Sequence, residues 1–384
     1  MSKRILYIIY SNPAVYPPLE HSSRIFADAG WDVLFLGARV IGNERLQFKP
    51  HPKIAVWAFP PATSGGLWLK CHYALFVLWT IVRAVLWRPD WVYASDLWST
   101  LPAWLLKKAG FRILYHEHDP PQTDGRSISW TKRIVFRARR AIARDSALCV
   151  LPGSGRADVF RRETGTDRPV TVVWNVPSVT EISSARPMEG ARGDLVLVYH
   201  GSLAPSRLPI TLIEAVLRLD GVRLHATGYE VPGHRGYADH IKRIVADRRR
   251  EGSVMFHDPM PRHELMLHGP TGHVGISLLP REMADPDFPS MLGPSNKPFD
   301  YMSLGMALLV TDLPDWKEVF VDGGYGMACD PSSVESVQAV LRWFLENPDR
   351  TRQMGELGRE RILDEWNYEK AFGKALAAIE RGPA

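Results

Sequence analysis

Residues 294–312 read PSNKPFDYMSLGMALLVTD and contain a loop, a short helix and a strand in immediate succession. Pro298 has the fixed φ that suits the first turn of a helix, and Gly305 ends that helix. The apolar run Ala307–Thr311 then predicts a buried strand. Helix N-termini attract anions and Lys297 adds a full charge, so we predict a phosphate site here. Taken alone, these residues fit a capped helix without a ligand better than they fit a phosphate site.

The same alternation of short apolar strands and helical segments continues along the whole chain, with strands at Ile54–Phe59, Leu195–Tyr199 and Gly326–Cys329 and a tight turn at residues 200–203. It predicts an α/β fold with two doubly wound, Rossmann-like parallel-sheet domains that face each other across a cleft. We predict a first domain at residues 1–177, a linker of small and polar residues at 178–192, and a second domain at 193–365. Ligands of such sheets gather beyond the carboxyl ends of the strands, which directs attention to residues 116–121 and 201–207.

Length and composition limit the class of protein. The 384 residues are too many for one core, and 45% hydrophobic with 23% charged residues is typical of a soluble globular protein. The net charge of +5 suits an anionic substrate or a membrane surface and does not require a nucleic acid. Cys71, Cys149 and Cys329 lie far apart without metal-ligand spacing, so we predict buried thiols in a reducing compartment.

The N-terminus carries no secretory signal pattern, so we expect a cytoplasmic protein, with a peripheral position on the inner face of the membrane as an open alternative. The apolar segment from Leu67 to Trp87 is interrupted by Lys70, His72 and Arg83. Its uncharged part is shorter than the ~20 residues that a spanning helix needs, so we do not predict a transmembrane helix.

A second anion site is predicted after the first strand of the second domain. Gly201 would let backbone amides approach an anion, and Arg207 could hold the anion with several donors. A glycine turn followed by a solvated arginine is common, so this signal is weak alone. Together with Lys297 it suggests two cations that converge on one diphosphate.

These motifs resemble the retaining glycosyltransferases of the GT-B fold, family 4, over nearly the whole chain. The resemblance rests on a strand followed by Gly-Ser-Leu with Arg207 six positions after the glycine, and then on the string Ser-Asn-Lys-Pro-Phe-Asp-Tyr-Met-Ser-Leu-Gly and Thr-Asp-Leu-Pro. Looser matches are Tyr93-Ala94-Ser95-Asp96, His118, Val173-Trp174-Asn175-Val176-Pro177 and the segment from Asn347 to Tyr368. The resemblance implies that a C-terminal helix, residues 366–384, crosses back to the first domain.

The resemblance implies a role for each matching residue. His118, Arg207 and Lys297 become the predicted catalytic residues, because His118 matches a histidine that approaches the donor sugar and the two cations match groups that bind the diphosphate. The predicted donor-binding residues are Gly201, Ser202, Arg207, Met260, Asn296, Lys297, Pro298, Phe299 and Asp300, with Asp300 on the ribose. On the acceptor side we place Asn12, Glu117 and Asp119, although solvated loop carboxylates are the simpler interpretation of the last two.

Several positions depart from the family pattern. Ser202 stands where a second arginine is frequent, and Asp300 replaces the usual glutamate. The first acid of the family motif would fall on Leu292, which leaves the choice of sugar open. The first loop has Pro13 and Pro17-Pro18 in place of a glycine pair.

The implied function is metal-independent, retaining transfer of a sugar from a nucleotide-diphosphate sugar, of UDP or GDP type, to a glycan or lipid-linked acceptor in cell-surface polysaccharide or glycoconjugate synthesis. No cofactor and no metal site are predicted, since the sequence contains no DxD string and no His/Cys ligand cluster. Two alternatives stay open: a nucleotide-sugar epimerase of similar fold, and a non-catalytic module that binds sugar nucleotides.

Membrane contact is suggested by two segments. From Trp130 to Arg144 the chain carries six basic residues and no acid, with residues 133, 137, 140 and 144 on one helical face. Such a helix could lie on anionic lipid, or it could be a domain helix with a solvated basic face. The tryptophans of the apolar segment from Leu67 to Trp87 favour a lipid-linked acceptor, although a helix packed on the sheet explains them too.

Overall fold

The computed structural model describes residues 2–40, 46–62, 66–121, 129–182, 193–230, 232–281 and 291–381. It confirms the predicted fold class, because two α/β units each contain one fully parallel sheet. Among the described residues, the first unit comprises those up to Asn175, residues 291–294 and the stretch from Tyr368 onwards. The second unit comprises the described residues between Val176 and Asn367 apart from 291–294. Most of the predicted linker, residues 183–192, lies outside the described residues.

The first unit is built on a seven-stranded sheet in the order β3-β2-β1-β4-β5-β6-β7. Its strands are β1 (Arg4–Ile8), β2 (Asp32–Ala38), β3 (Ile54–Phe59), β4 (Trp91–Ser95), β5 (Ile113–His116), β6 (Leu148–Leu151) and β7 (Val170–Val172). Its helices are α1 (Pro17–Asp28), α2 (Leu67–Trp87), α3 (Thr100–Lys108), α4 (Trp130–Asp145) and α5 (Ser154–Thr164). The central strands β4 and β5 are buried along their whole length because helices cover both faces of a parallel sheet.

The second unit is built on a six-stranded sheet in the order β10-β9-β8-β11-β12-β13. Its strands are β8 (Leu195–Leu203), β9 (Val222–Glu230), β10 (Val254–His257), β11 (Val274–Ser277), β12 (Ala307–Thr311) and β13 (Gly326–Cys329). Its helices are α6 (Ile210–Leu217), α7 (Tyr237–Asp247), α8 (Arg262–His268), α9 (Lys297–Ser303), α10 (Pro314–Trp316), α11 (Val334–Glu346) and α12 (Pro348–Asp364).

The last helix, α13 (Tyr368–Arg381), belongs to the first unit and packs on α1. The rings of His21 and Tyr368 lie 5.0 Å apart, and those of Phe26 and Phe372 lie 5.8 Å apart. These contacts place an apolar face of α13 in the core of the first unit.

Strand β8 is longer than predicted. We expected a tight turn at residues 200–203, but these residues continue the strand and pair with β9 as far as Leu203 opposite Glu230. Gly201 has φ +122°, which side-chain-bearing residues rarely adopt. A Cβ on the facing Gly228 would meet the Gly201 carbonyl oxygen at 1.9 Å. Two glycines therefore allow the close approach of β8 and β9 at this point.

Two expectations for surface residues are corrected by the structure. Cys71 is exposed on α2, whereas Cys149 and Cys329 are buried as predicted. The apolar face of α4 packs into the core through Val135 and Ile142, so this face is not available to lie on lipid.

Candidate active site

Two cations lie at the carboxyl end of β8 in the second unit. The Lys297 side chain folds over Gly201, because a Cβ at that glycine would meet Lys297 Cε at 2.9 Å and Nζ at 3.3 Å. The ammonium lies 5.9 Å from the centre of the Tyr199 ring. Within the described part of the chain, no carboxylate lies within ion-pair distance of Lys297 or Arg207. The structure thus brings together the two predicted diphosphate ligands.

Burial and mutual repulsion make this pair electrostatically costly. Burial, together with the Arg207 charge, lowers the pKa of Lys297 to about 8, and the Asp300 charge opposes this shift. Burial also lowers the pKa of Arg207, which nevertheless stays protonated because guanidinium is a very strong base. A bound anion would relieve the repulsion between the cations, so the pair has the charge that the predicted anion site requires.

Asp300 forms a buried ion pair in place of the predicted free ribose ligand. Arg262 Nη2 donates to Asp300 Oδ1 at 2.7 Å, and Nη1 donates to Oδ2 at 2.8 Å. Asn296 Nδ2 also donates to Oδ2, at 2.8 Å. The same guanidinium binds Glu181, whose Oε1 lies 3.0 Å from Nε. Because the Asp300 side chain is fully buried with its oxygens occupied, this placement does not support the predicted ribose contact.

His200 is a further group at this point that the sequence did not single out. Its ring is buried, and Nε2 lies 3.5 Å from Asp300 Oδ2. This Nε2 has no hydrogen-bond partner among the described residues. Burial lowers the pKa of His200 to about 4, although the Asp300 charge opposes this shift and Lys297 reinforces it. His200 is therefore neutral at physiological pH and can donate or accept one hydrogen bond.

The other predicted donor-binding residues differ in burial. Pro298 and Phe299 are buried, and the Phe299 ring packs 5.7 Å from Phe320 and 5.9 Å from Trp366. The side chain of Phe299 is thus part of the core, which leaves only its backbone for the predicted donor contact. Met260 and Ser202 are partly buried, and the Ser202 carbonyl oxygen accepts a hydrogen bond from Tyr199 Oη.

An open cavity of about 970 Å³ lies at the carboxyl ends of β8, β11 and β13. Its lining includes Ser206, Leu279 and Arg281, and Ser206 is the neighbour of the Arg207 cation in the chain. Arg281 is held by Asp312 at 3.2 Å and Asp330 at 3.0 Å. The second unit therefore offers a large concave space, as ligand sites commonly do, although neither Arg207 nor Lys297 is among its lining residues.

In the first unit, the predicted catalytic histidine lies in a buried loop after β5. Both ring nitrogens of His118 are buried without a hydrogen-bond partner in the described part of the chain. Its ring packs 3.8 Å from His116 and 5.2 Å from Tyr16. Burial, reinforced by the Arg156 charge, lowers the pKa of His118 to about 3. The imidazole is neutral at physiological pH and has one N–H to offer a ligand.

Asp96 is held beside this histidine in an unusual conformation. Its φ of +63° is rare for a residue with a side chain. The amide of His118 donates to Asp96 Oδ1 at 2.8 Å, and the carboxylate also interacts with the Tyr16 hydroxyl. Burial raises the pKa of Asp96 to about 7, although the His118 amide opposes this shift, and the charges of Asp119 and Glu117 add to it.

The predicted acceptor-side carboxylates occupy different environments. Glu117 is buried and accepts hydrogen bonds from Arg139 Nε at 2.6 Å and Nη2 at 2.7 Å. The interpretation of Glu117 as a solvated loop carboxylate is therefore wrong, and this ion pair leaves it poorly placed to act on an acceptor. Asp119 is 71% exposed and lies 3.2 Å from Arg156 Nη1.

Asn12 has a local structural role in the first unit. Its Oδ1 accepts a hydrogen bond from the Ala14 amide at 3.0 Å, and its Nδ2 donates to the Leu46 carbonyl oxygen at 3.1 Å. It also lines a cavity of about 480 Å³ whose walls include Arg39 and Lys49. The predicted acceptor-side position of Asn12 thus coincides with a concave surface.

Two models of known families match most of the chain. Residues 19–175 match the glycosyl transferase 4-like domain, and residues 211–377 match a glycosyl transferase-like model. The chain belongs to the family 4-like glycosyltransferases of the GT-B fold. The first match includes the loop with His118 and the second includes the helix with Lys297, whereas β1, β8 and Arg207 lie outside both matches.

This glycosyltransferase is similar to several characterised proteins at low identity. It is 22% identical over 289 residues to the GDP-mannose-dependent alpha-(1-6)-phosphatidylinositol monomannoside mannosyltransferase of Mycolicibacterium smegmatis, with 72% of each chain covered. Its fold is similar to that of sucrose-phosphate synthase from Thermosynechococcus elongatus, with a TM-score of 0.70 and 14% identity. The similarity covers 99% of this chain and 98% of the synthase chain. It is also similar to Anabaena HepE in complex with UDP and glucose, with a TM-score of 0.70, 15% identity and coverage of 99% and 100%.

Sequence reasoning missed Arg262, Asp96 and His200 of this glycosyltransferase. Asp300 is fully buried in α9, where an acid needs a cation, but the sequence does not identify Arg262 as its partner. Asp96 was quoted only as part of a motif, and its positive φ has no local sequence signal. His200 stands one position before the glycine that was singled out.

Proposed function

We propose that this glycosyltransferase moves a sugar from a nucleoside-diphosphate sugar to a glycan or lipid-linked acceptor, with retention of anomeric configuration. Retention is inferred from the resemblance to family 4. The proposal places donor binding in the second unit and the groups that act on the acceptor in the first. We propose that the product belongs to cell-surface polysaccharide or glycoconjugate synthesis.

The observation that carries the proposal is the uncompensated cation pair of Lys297 and Arg207. Two partly buried positive charges without a carboxylate partner in the described part of the chain cost free energy unless an anion binds between them. A diphosphate supplies two adjacent negative groups, which can compensate the two cations. The mannosyltransferase of Mycolicibacterium smegmatis is named as GDP-mannose-dependent, and HepE was crystallised with UDP, which supports a nucleotide as the anion.

The same cations favour cleavage of the bond between the sugar and the diphosphate. When the bond from the sugar C1 to the β-phosphate oxygen breaks, negative charge grows on that oxygen. Fixed cations therefore stabilise the transition state more than the bound donor. In the described part of the chain no group of three or more His, Cys, Asp or Glu side chains is placed to hold a metal ion. We propose that Lys297 and Arg207 carry the leaving-group charge.

We propose Asp96, instead of Glu117, as the carboxylate that meets the acceptor hydroxyl. The new bond joins that hydroxyl oxygen to C1, and its proton passes to Asp96 or to the departing phosphate. A pKa of about 7 for Asp96 matches this task, because a carboxylate that accepts a proton near neutral pH is an effective base. The neutral His118 donates its free N–H to a hydroxyl of the sugar in this proposal.

The acceptor class is proposed from the first unit. The cavity at Asn12 has apolar walls at Phe48 and Val56, and it has cations at Arg39 and Lys49. These features suit an acceptor with an apolar part and an anionic group, such as a lipid-linked glycan. Such an acceptor places the enzyme at the cytoplasmic face of a membrane, which is the localisation that we propose.

The donor site is tested by calorimetric titration with UDP and GDP. We expect Arg207→Ala and Lys297→Ala each to weaken binding roughly tenfold to a hundredfold, the range for losing a charged hydrogen bond. The exposed Arg342 of α11 provides a matched control, and Arg342→Ala should bind as the wild type does. Unchanged affinity in both site variants would overturn the assignment.

Product analysis distinguishes the transferase from an epimerase. Nuclear magnetic resonance of the donor incubated without an acceptor should show the unchanged sugar nucleotide and slow hydrolysis at most. Interconversion of the donor into its epimer would instead establish the alternative enzyme. Donor binding without turnover across a broad panel of glycan and lipid-linked acceptors would indicate the non-catalytic module.

A further inference from the structure

Helix α2 (Leu67–Trp87) exposes a continuous apolar surface. Eight of its large apolar side chains are exposed, from 45% at Leu69 to 73% at Leu67 and Trp68. Leu75, Leu78, Val82 and Val85 follow one another at intervals of three or four residues, which places them on one face of the helix. The surface runs along 21 residues, or about 30 Å of helix. We call it the α2 ridge.

The opposite face of α2 fixes the helix to the first unit. Phe76, Thr80 and Ala84 are fully buried, and Tyr73 and Val77 are nearly so. The helix is long and apolar enough to cross a membrane, but these residues belong to the core under the sheet. A spanning arrangement would pull this face out of the core. The helix can therefore meet a membrane only along its side.

The two helices next to α2 are strongly cationic. Helix α3 packs against both α2 and α4. The three helices contain two, two and six basic residues respectively, and their only acid is Asp145 at the end of α4. Arg139 is buried in its ion pair, whereas Arg133, Arg137 and Arg140 are exposed. An apolar ridge thus borders a positive surface that contains almost no negative charge.

Tryptophans and cations meet at the edges of the ridge. The Lys70 ammonium of α2 lies 5.9 Å from the ring centre of Trp130, which is 61% exposed at the start of α4. The Arg83 guanidinium lies 4.9 Å from the ring centre of Trp57, which is 40% exposed on β3. Such pairs suit the boundary between lipid headgroups and acyl chains, where amphipathic rings and cations are both stabilised.

We propose that α2 lies in the plane of an anionic lipid bilayer, with the α2 ridge inserted among the acyl chains and the cations of α3 and α4 on the headgroups. This extends the proposed function by naming the inserted helix and the lipid charge. Helix α4 then contributes charge alone, because its apolar face is buried in the core. Binding of this kind depends on both the inserted apolar area and the attraction to anionic lipid.

Charge complementarity distinguishes a bilayer from a second copy of the chain. Two copies that joined their α2 ridges would bring the positive surfaces of two α3 and α4 helices near each other, and the like charges would repel. Anionic headgroups compensate those charges. The occupant that the surface fits is therefore negatively charged lipid.

Cys71 provides a probe within the ridge. It is the exposed cysteine of the three in the chain, so a polarity-sensitive fluorophore attaches there without any substitution. Vesicles of phosphatidylcholine with phosphatidylglycerol should shift the emission to the blue, and lipids brominated on their acyl chains should quench it. Absence of a shift with these vesicles would overturn the proposal, as would a concentration-dependent shift without vesicles, which indicates a second copy.

Matched variants separate the apolar and the electrostatic contributions in vesicle co-sedimentation. We expect Leu75→Glu combined with Leu78→Glu to lower the partition coefficient roughly tenfold or more, since each places a charge among acyl chains. Leu363→Glu, at a similarly exposed leucine of α12, should leave binding unchanged. Equal loss in both variants would overturn the proposal.

The cationic surface is tested in the same assay. Arg133→Glu with Arg137→Glu should weaken binding to anionic vesicles, and added salt should weaken wild-type binding, because headgroup attraction is screened. Equal binding to vesicles of phosphatidylcholine alone would overturn the role of lipid charge. None of these measurements requires a donor, so the proposed membrane contact and the proposed transfer reaction can fail independently of each other.

Discussion

Replacing Lys297 by arginine should remove the pH dependence of nucleotide binding. Lys297 has a pKa of about 8 in the ligand-free protein because burial and Arg207 disfavour its charge. A bound diphosphate favours that charge and raises the pKa. The wild-type affinity should therefore be constant below about pH 8 and should fall above it. Arginine stays protonated throughout this range, so the affinity of Lys297→Arg for the nucleotide should change little with pH.

The size of the effect follows from the pKa. At about pH 9, roughly one tenth of the ligand-free protein carries a protonated Lys297, so the affinity should be about tenfold lower than at pH 7, or about 1.4 kcal/mol. Wild-type binding should also take up close to one proton at that pH. Between pH 8 and the ordinary lysine pKa of 10.5, the unfolded chain holds more protons than the ligand-free fold, so the contribution of Lys297 to stability rises with pH.

Calorimetric titration in buffers of different ionisation enthalpy measures both quantities. The comparison uses UDP or GDP at pH 7 and pH 9 for wild type and Lys297→Arg. Titration of the nucleotide base affects both proteins equally and cancels in the difference. If the wild type and the variant took up the same number of protons at pH 9, Lys297 would not be the group that titrates in the site.

Two other substitutions test the site. Asp96→Asn should stop sugar transfer and raise the free energy of unfolding by roughly 1 to 3 kcal/mol at pH 8, with a smaller gain at pH 5. Burial raises the pKa of Asp96 to about 7, so the wild type loses stability as the pH rises through that value, whereas the asparagine does not ionise. Thermal melts at the two pH values measure this difference. Gly201→Ala should weaken UDP or GDP binding in calorimetry, because the added Cβ would displace the Lys297 side chain and because Gly201 has a φ of +122°. Gly373→Ala is the control, since a Cβ there meets no atom within 4 Å.

Much of the fold was predictable because its signals are local. The runs Ile54–Phe59, Ala307–Thr311 and Gly326–Cys329 are strands with the predicted bounds, since β-branched and apolar residues between polar turns need no distant partner to be recognised. The extension of β8 beyond Tyr199 was missed because it depends on pairing with β9, more than twenty residues away. A local glycine pattern there resembles a turn.

The candidate site was only partly predictable for the same reason. Lys297 and Arg207 were predicted because a positive charge at a helix N-terminus and a positive charge after a glycine turn are both visible in the sequence. The environment of Glu117 was not, because its ion pair with Arg139 joins residues 22 positions apart. Arg262 and Asp300 are 38 positions apart. Which carboxylate is free and which is already paired is decided by the tertiary structure.

Because Arg262 and Asp300 are in contact, the effect of a substitution at one of these positions depends on the residue at the other. Restoring the usual glutamate at position 300 adds a methylene group to a fully buried site in which both carboxylate oxygens are engaged. The longer acid fits only if the guanidinium withdraws by a similar distance. Asp300→Glu alone should therefore lower the free energy of unfolding. A second substitution to a shorter cation, Arg262→Lys, should restore part of that loss. The two residues are expected to vary as a pair across related chains.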